Sequence, residues 1–346
     1  MSDQPVPPRF PPAEPPAGPA GHPIHPLTVS RTISLAIRLV RFGWRTIFAI
    51  VLLFFVPLYV IVGAVQAAIM PMAFEFAAEM QAWMVDYQRQ LAGGELPAFL
   101  PPLGTLIDFL LLNLAISMAT ALIGWYGQAA VVHAIGQVYL ERRPTIGGSI
   151  GQVVRRLVPL TAAWLLIGAV MLGVLLAGVI AGAAMIATSD GGAGAFLGLL
   201  VVVSIVAVLI FLTVRWLLVP QTLMLEESSG VGALGRSWRL VAGSSWRVLG
   251  YLLLLMIMVG LIVAALGAVV GLVFGLGTAM TPGNGLPLPP SDPAFVFSQT
   301  LLSGLLAAVF EPFLLAAFVL LYHDLRWRRG ETGRDSVAEE QVQPGL

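Results

Sequence analysis

Six long apolar stretches constrain this chain more than any other feature of its sequence. They cover approximately residues 46–68, 103–138, 159–187, 196–218, 248–277 and 295–322. Each is long enough to cross a bilayer as an α-helix, which takes about 20 residues. The chain is 58% hydrophobic and only 10% charged, whereas soluble proteins are about 25% charged. We therefore predict an all-α fold, a polytopic bundle of six transmembrane helices in one membrane domain over residues 28–329.

Three of these stretches follow a segment with amphipathic periodicity. At about 100° per residue, Arg236, Arg239 and Arg247 fall on one arc and apolar side chains fall opposite them. Segments 29–45 and 145–157 repeat this pattern before the first and third stretches. Helices of this kind lie in the headgroup plane of a membrane. The sequence therefore predicts three in-plane amphipathic helices on one membrane face.

The basic and aromatic side chains of these segments are candidates for contact with lipid headgroups. They are Arg38, Arg41, Trp44, Arg45, Arg236, Trp238, Arg239, Trp246 and Arg247. Guanidinium groups bind lipid phosphates, and tryptophan side chains anchor helices at the membrane surface. An equally good interpretation is that these arginines only set the orientation of the chain during insertion.

Basic residues alternate from one connection to the next, and this alternation predicts the orientation. The flank before the first span, the second-to-third and fourth-to-fifth connections, and the flank after the sixth span are rich in arginine. The intervening connections carry Arg89 beside Glu75, Glu79, Asp86, Glu95, Asp190 and Asp292. Because arginine-rich connections stay on the cytoplasmic side, we expect both termini and the amphipathic helices there, in the plasma (inner) membrane.

Three ionisable residues fall inside the predicted spans. Glu311 lies near the middle of the sixth span, Asp108 near the outer end of the second, and Arg215 towards the inner end of the fourth. Intramembrane charges are expensive and often functional, so Glu311 is a candidate ion, proton or substrate site. The alternative is a structural carboxylic acid bonded to a neighbouring helix. A pairing of Arg215 with Glu311 is a further hypothesis.

The remaining features argue against catalysis. The chain has no Cys, four scattered His and no recognisable nucleophile, phosphate-loop or zinc motif. We therefore predict no enzyme activity, no metal or other cofactor, and no nucleic-acid partner, since the net charge is zero. Residues 1–27 are Pro-rich and residues 330–346 are polar, so both are predicted to be disordered tails.

Several motifs resemble one known family. The sequence ALGRSWRLVAGSSWRVLG at 233–250, LLYHDLRWRRG at 320–330 and VYLERRPTIGGSI at 138–150 resemble the membrane domain associated with glycerophosphoryl diester phosphodiesterases and its stand-alone bacterial relatives. The resemblance covers about residues 27–330. It implies a polytopic membrane module, because in fused relatives the chemistry belongs to a separate soluble domain that has no counterpart here.

Two functions remain open from the sequence. One is a membrane module without catalytic machinery that organises membrane lipids, or another membrane protein, through its Arg- and Trp-rich in-plane helices. The alternative is a transporter or channel for a small solute or ion that uses Glu311. The sequence leaves the oligomeric state undetermined.

Overall fold

The computed structural model describes residues 29–93, 103–188, 191–226, 228–279 and 293–331. Every regular element in these ranges is an α-helix. The helices are α1 (Val29–Phe42), α2 (Trp44–Ala92), α3 (Leu103–Tyr139), α4 (Ile146–Arg155), α5 (Leu157–Thr188), α6 (Gly191–Trp216), α7 (Val219–Leu225), α8 (Gly230–Val241), α9 (Ser245–Ala279) and α10 (Pro293–Arg328). Six of them, α2, α3, α5, α6, α9 and α10, are long and apolar enough to span a membrane. The all-α class and the six long apolar helices are therefore confirmed for the described residues, whereas the predicted tail 1–27 and residues 332–346 lie outside them.

Helix α10 is the centre of the bundle and packs most extensively along α2. Gly304 of α10 lies so close to the ring of Tyr59 that a Cβ atom there would overlap it. Nearer the C-terminal end of α10, the rings of Phe48 and Phe313 meet edge to face at 6.5 Å. A small residue at the crossing lets the two helix backbones approach closely, as is usual in membrane bundles.

The short helices α1, α4, α7 and α8 gather at one end of the bundle. At this end the Thr46 hydroxyl donates a hydrogen bond to the Pro144 carbonyl at 3.2 Å, so the start of α2 lies beside the end of α3. The Ser237 hydroxyl of α8 donates to the Arg215 carbonyl of α6 at 2.8 Å. We call these four helices and the adjoining ends of the long helices the packed end, and the opposite end the open end.

Each amphipathic segment of the sequence forms a helix with one buried face. In α1 the buried side chains include Leu35, Ala36, Leu39 and Val40, and in α8 they include Leu234, Leu240 and Val241. Arg31, Arg38 and Arg41 lie on the exposed face of α1. The Thr145 and Ser229 hydroxyls cap the first turns of α4 and α8. The periodicity places Ile33, Ile37, Val40 and Trp44 opposite the arginines, but of these only Val40 is buried, whereas Ile37 and Trp44 are exposed. The face of α1 that packs on the bundle is therefore turned away from the predicted one, towards Leu35, Ala36 and Leu39.

Helix α2 differs from the prediction. The sequence predicts that the first span ends near residue 68 and that a separate short helix begins near Pro71. That prediction is wrong, because one helix of 49 residues runs through both Pro57 and Pro71. A proline in a membrane helix removes one backbone hydrogen bond, which neighbouring groups can compensate. At 1.5 Å per residue, α2 is about 73 Å long.

Helix α7 is the element that the sequence did not indicate. Pro220 in the sequence predicts a break after the fourth apolar stretch, and this is confirmed, since α6 ends at Trp216 and Pro220 lies in the first turn of α7. The segment from residue 221 was predicted to be a polar connection, yet Gln221 and Thr222 are buried. The Thr222 hydroxyl is within 3.4 Å of the Ala233 carbonyl. This bond ties α7 to α8 in the interior of the packed end.

Candidate functional site

A cluster of charged side chains joins α7, α8 and α10 at the packed end. The Glu226 carboxylate accepts hydrogen bonds from Nε and Nη2 of Arg236 at 2.8 and 2.9 Å. The Tyr322 hydroxyl donates to Oε1 of Glu226 at 2.5 Å. Arg236 also donates to Glu331, beyond the end of α10, and Arg326 lies within 4 Å of both carboxylates. We call these five residues the Glu226 cluster.

The surroundings of Glu226 keep its carboxyl group ionised. Burial alone would raise its pKa, but hydrogen bonds from Arg236 and Tyr322 and the positive charges of Arg236 and Arg326 lower the pKa below its ordinary value. The hydrogen bond with Glu226 in turn raises the pKa of the Arg236 guanidinium. Both groups are therefore charged at neutral pH. Their two-point contact fixes the orientation of α8 relative to α7.

A second ion pair joins α9 to α10. Asp324 is buried and accepts a hydrogen bond from Nε of Arg328 at 2.8 Å. Nη2 of Arg247, in the first turn of α9, lies 3.8 Å from the same carboxylate, and its guanidinium lies over the Tyr251 ring at 5.8 Å. Two of the arginines predicted to contact lipid, Arg236 and Arg247, thus contact carboxylates of the protein itself.

The other predicted lipid-facing side chains lie at the surface. Trp246 is 87% exposed and Trp44 is 53% exposed. Trp238 is only marginally exposed, and its ring stacks on the Arg215 guanidinium at 4.8 Å. We define the cationic rim as the exposed arginines of the packed end that precede α10 in the chain. They are Arg31, Arg38, Arg41, Arg45, Arg142, Arg143, Arg155 and Arg239.

Few carboxylates balance the cationic rim. Among the described residues of the packed end, the carboxylates are Glu141, Glu226, Asp324 and Glu331. The last three contact arginines of the Glu226 cluster or of the Asp324 ion pair. Most of the acidic charge at this end is thus already engaged, and the rim presents a surplus of positive charge.

The predicted intramembrane residues occupy three separate environments. The Gln128 side chain of α3 hydrogen-bonds Glu311, which is half-buried on α10. The Arg215 guanidinium lies over the Phe211 ring at 5.0 Å and donates to the Trp238 carbonyl at 3.4 Å. Asp108 is exposed near the start of α3. Within the described ranges, the structure does not bring Arg215 and Glu311 together.

Two apolar cavities lie among the long helices. One, of about 400 Å³, lies between α5 and α6 and has Ser204 as its polar lining residue. The other, of about 280 Å³, lies among α1, α9 and α10 and is lined by apolar side chains. Glu311 lines neither of them. Among the described residues, His, Asp and Glu side chains form no group suited to hold a metal ion.

Sequence analysis missed the Glu226 cluster. A signal was present, because Glu226 follows a long apolar span within an otherwise arginine-rich connection. Its partners Arg236 and Tyr322 are 10 and 96 residues away. Glu141 also departs from the basic character of its connection but is exposed, so this signal alone does not identify an internal ion pair or its partner.

Comparison with known proteins identifies one family. A family model described as a domain of unknown function (DUF8558) matches residues 23–286. The match covers more than half of the chain, so the chain belongs to this family. It ends before α10, which supplies Tyr322 and Arg326 of the Glu226 cluster. No curated protein and no solved structure matches the chain.

Proposed function

We propose that this member of the DUF8558 family is a non-catalytic membrane module that binds anionic lipid headgroups through its cationic rim. The proposal rests on a difference between two groups of arginines at the packed end. Arg236 and Arg326 hold carboxylates inside the protein, whereas the rim arginines are exposed. A phosphate group is the natural counterion for such a surface, because guanidinium binds it through two parallel hydrogen bonds.

The position of the rim supports contact with headgroups. Helices α1, α4 and α8 each bury one face against the bundle and each directly precede a long apolar helix. This places them where the chain enters the membrane, and we propose that α4, α8 and the C-terminal part of α1 lie at headgroup level. Trp44 and Trp246, at the starts of α2 and α9, then serve as aromatic anchors at the same level. The N-terminal part of α1, with Ile33 and Ile37, faces apolar side chains of α9 and α10.

The orientation is part of the proposal. The packed end carries the surplus of arginine, whereas the described residues near the far ends of α2 and α3 include Glu75, Glu79, Asp86 and Asp108 beside Arg89. By the positive-inside rule, the packed end and both termini are cytoplasmic in the plasma membrane. Lipids of the cytoplasmic leaflet carry the negative charge that the rim requires. Another membrane protein is a second class of partner for this surface.

The alternative, transport of a small solute or ion through Glu311, has less support. Between Glu311 and the packed end, α10 buries Leu315, Ala316, Val319 and Leu320 against the bundle. These turns of α10 present apolar side chains to the bundle. Flux into proteoliposomes that is lost in Glu311→Gln would favour transport over the lipid module.

Lipid selectivity tests the proposal directly. Spin-labelled phosphatidylglycerol and phosphatidylcholine report how strongly each lipid associates with the reconstituted protein. We expect preferential association of phosphatidylglycerol that falls several-fold between about 0.05 and 1 M salt, limits that span weak to strong screening. The quadruple variant Arg38→Gln, Arg41→Gln, Arg45→Gln, Arg239→Gln should lose most of this preference, since each surface arginine contributes about 1 kcal/mol.

The matched control changes an arginine at the other end of the molecule. Arg89 is exposed near the end of α2, so Arg89→Gln should keep the full preference for phosphatidylglycerol. Equal association of both lipids in the unmodified protein, or a loss in Arg89→Gln as large as in the rim variant, would contradict the proposal.

Cysteine labelling tests the orientation. The chain contains no Cys, and Gly93 and Gly147 both leave room for a side chain. An impermeant maleimide added to intact cells should label Gly93→Cys and spare Gly147→Cys, whereas both react after permeabilisation. The reverse pattern would place the packed end on the outer side, where the cationic rim does not face the anionic lipids of the cytoplasmic leaflet, and would contradict the proposal.

A further inference from the structure

The strongest unassigned feature is a slot between α9 and α10. These helices run antiparallel, and near the packed end Arg247 lies 3.8 Å from Asp324. Farther from that end, each helix presents an apolar ridge at spacings i, i+3, i+4 and i+7. The ridges consist of Leu255, Met258, Val259 and Ile262 on α9 and Phe310, Phe313, Leu314 and Ala317 on α10. They line a cavity of about 280 Å³.

Helix α1 forms the third wall of this slot through Ile33, Ala36 and Ile37. The slot has a closed inner end, where Ala36, Leu255 and Ala317 are buried. It has an accessible side, where Ile37 is 49% exposed and Ile262 is 39% exposed. The inner end is therefore covered by protein, and the accessible side faces the medium that surrounds the bundle.

The chemistry of the lining selects the occupant. All the lining side chains are apolar, and an apolar cavity gives water too few hydrogen-bond partners to be filled. The medium around Ile262 is hydrocarbon, because α9 is one of the helices suited to span a membrane. The volume is close to the lower limit of small-molecule sites, about 300 Å³. It suits part of one acyl chain rather than a whole lipid.

Helix α1, which forms one wall of the slot, also carries positively charged side chains close to the slot. Ile33, Ile37 and Arg41 are spaced four residues apart and therefore lie on one stripe of α1. Arg41 is exposed, as is Arg38 beside Ile37. A molecule with a hydrocarbon chain in the slot thus has Arg38 and Arg41 within about one helical turn of Ile37 along α1, a rise of about 5 Å along the helix axis.

We propose that the slot among α1, α9 and α10 is a specific site for one acyl chain of a phospholipid whose phosphate contacts Arg41. This inference rests on the proposed headgroup-binding function and adds a defined position and stoichiometry to it. The rim attracts many exchanging headgroups, whereas the slot retains one lipid. Since α1 supplies both the wall and the arginine, the bound lipid also holds α1 against α9.

Photo-crosslinking tests the site with a defined probe. Phosphatidylglycerol with a diazirine in the middle of one acyl chain is incorporated into nanodiscs that contain the full chain. Irradiation and peptide mapping should give crosslinks on the peptides around Ile37, Val259 and Phe313. Val259→Trp fills the slot and should reduce these crosslinks by about fivefold or more, because a large side chain occupies most of a cavity of this size.

The matched control places the same side chain on the opposite side of α9. Leu261 is 67% exposed and does not line the slot, so Leu261→Trp should leave the crosslinks unchanged. Ile262→Trp, at the accessible side where extra volume can be accommodated, provides a second blocking variant if Val259→Trp does not fold. Arg41→Gln should weaken retention of the lipid about fivefold while the slot itself stays open.

The outcomes separate this site from the general function. If neither Val259→Trp nor Ile262→Trp reduces crosslinking more than Leu261→Trp, the slot is not a lipid site, even where the salt-sensitive preference for phosphatidylglycerol persists. Crosslinks that join the slot to a second copy of the chain or to another protein would also overturn it. Conversely, specific crosslinks without any preference for phosphatidylglycerol would support the slot and contradict the function proposed for the rim.

Discussion

The packed end and the open end of this molecule are built on different principles. Helix α5 shows the contrast within one element, since Leu160 is fully buried near the packed end whereas Ile180 is 68% exposed near the open end. At the packed end, α7 and α8 cover the long helices, and the Glu226 cluster and the Asp324 ion pair link these elements. Towards the open end, the helices expose large apolar side chains such as Leu199 and Leu261.

The difference shows which forces hold each end. Many large apolar side chains are exposed together along α5, α6 and α9. An apolar surface of this extent is favoured where hydrocarbon replaces water, so the open end depends on the bilayer. The packed end has its own core and its own ion pairs. It therefore presents a fixed surface, and such rigidity suits the headgroup-binding role that we propose for the rim.

The largest effect should follow from removing the centre of the Glu226 cluster. Glu226→Ala removes the acceptor of three hydrogen bonds and leaves Arg236 and Arg326 without this carboxylate. Breaking a fully buried pair costs about 3–5 kcal/mol, and these side chains are partly exposed, so we expect about 2–3 kcal/mol. The midpoint of thermal unfolding in nanodiscs measures this loss of stability. The exposed Glu75→Ala should be neutral, and equal midpoints for the two variants would show that the cluster does not stabilise the packed end.

A smaller effect should follow from a glycine substitution in the α2–α10 contact. Gly304→Ala places a methyl group against the Tyr59 ring, and overpacking of this kind costs about 1–3 kcal/mol. The control is Gly260→Ala on α9, where no atom lies within 4 Å of the new Cβ. Thermal unfolding should separate the two variants. Loss of stability in Gly260→Ala would indicate that α9 is covered by a partner there.

The smallest effect concerns pH. The folded protein lowers the pKa of Glu226 below its ordinary value of 4.5, so the unfolded chain binds this proton more readily. The stabilisation from Glu226 is therefore complete above about pH 4.5 and disappears as the pH falls through the lowered pKa. The stability difference between the unmodified protein and Glu226→Gln should shrink from about pH 6 to about pH 3, a range that brackets the ordinary pKa of a glutamate side chain. A difference that stays constant over this range would mean that Glu226 has the same pKa in the folded and unfolded chain.

The long apolar helices were predictable because apolar length is a local property, whereas periodicity predicted the buried faces of the short helices only in part. In α4, for example, Ser149 and Gln152 of the predicted polar face are buried, and Ile146 of the predicted apolar face is exposed. The exposure of Arg38 and the burial of Leu39 and Val40 are properties of one helix on one surface. The roles of Arg236 and Arg239 were not distinguishable in the same way. Both are arginines on the same arc of α8, yet Arg236 meets Glu226 and Glu331, whereas Arg239 is exposed.

Other features depend on tertiary structure that a local pattern does not encode. Tyr322 reaches Glu226 across 96 residues of sequence, and α7 is helical because α3 and α8 enclose it. The course of α2 through Pro71 depends on compensation by neighbouring groups rather than on the proline itself. The resemblance to the membrane domain of glycerophosphoryl diester phosphodiesterases stays a prediction.

The length of α2 has a consequence for what the protein can reach. A helix about 73 Å long is more than twice as long as the hydrocarbon core of a bilayer is thick, which is about 30 Å. Even at a steep tilt of about 40°, its ends would be separated by about 56 Å along the membrane normal. With the start of α2 at the membrane surface, as we propose, some 25 Å of this helix would extend beyond the hydrocarbon and carry Glu75, Glu79 and Asp86 to where molecules in solution can contact them.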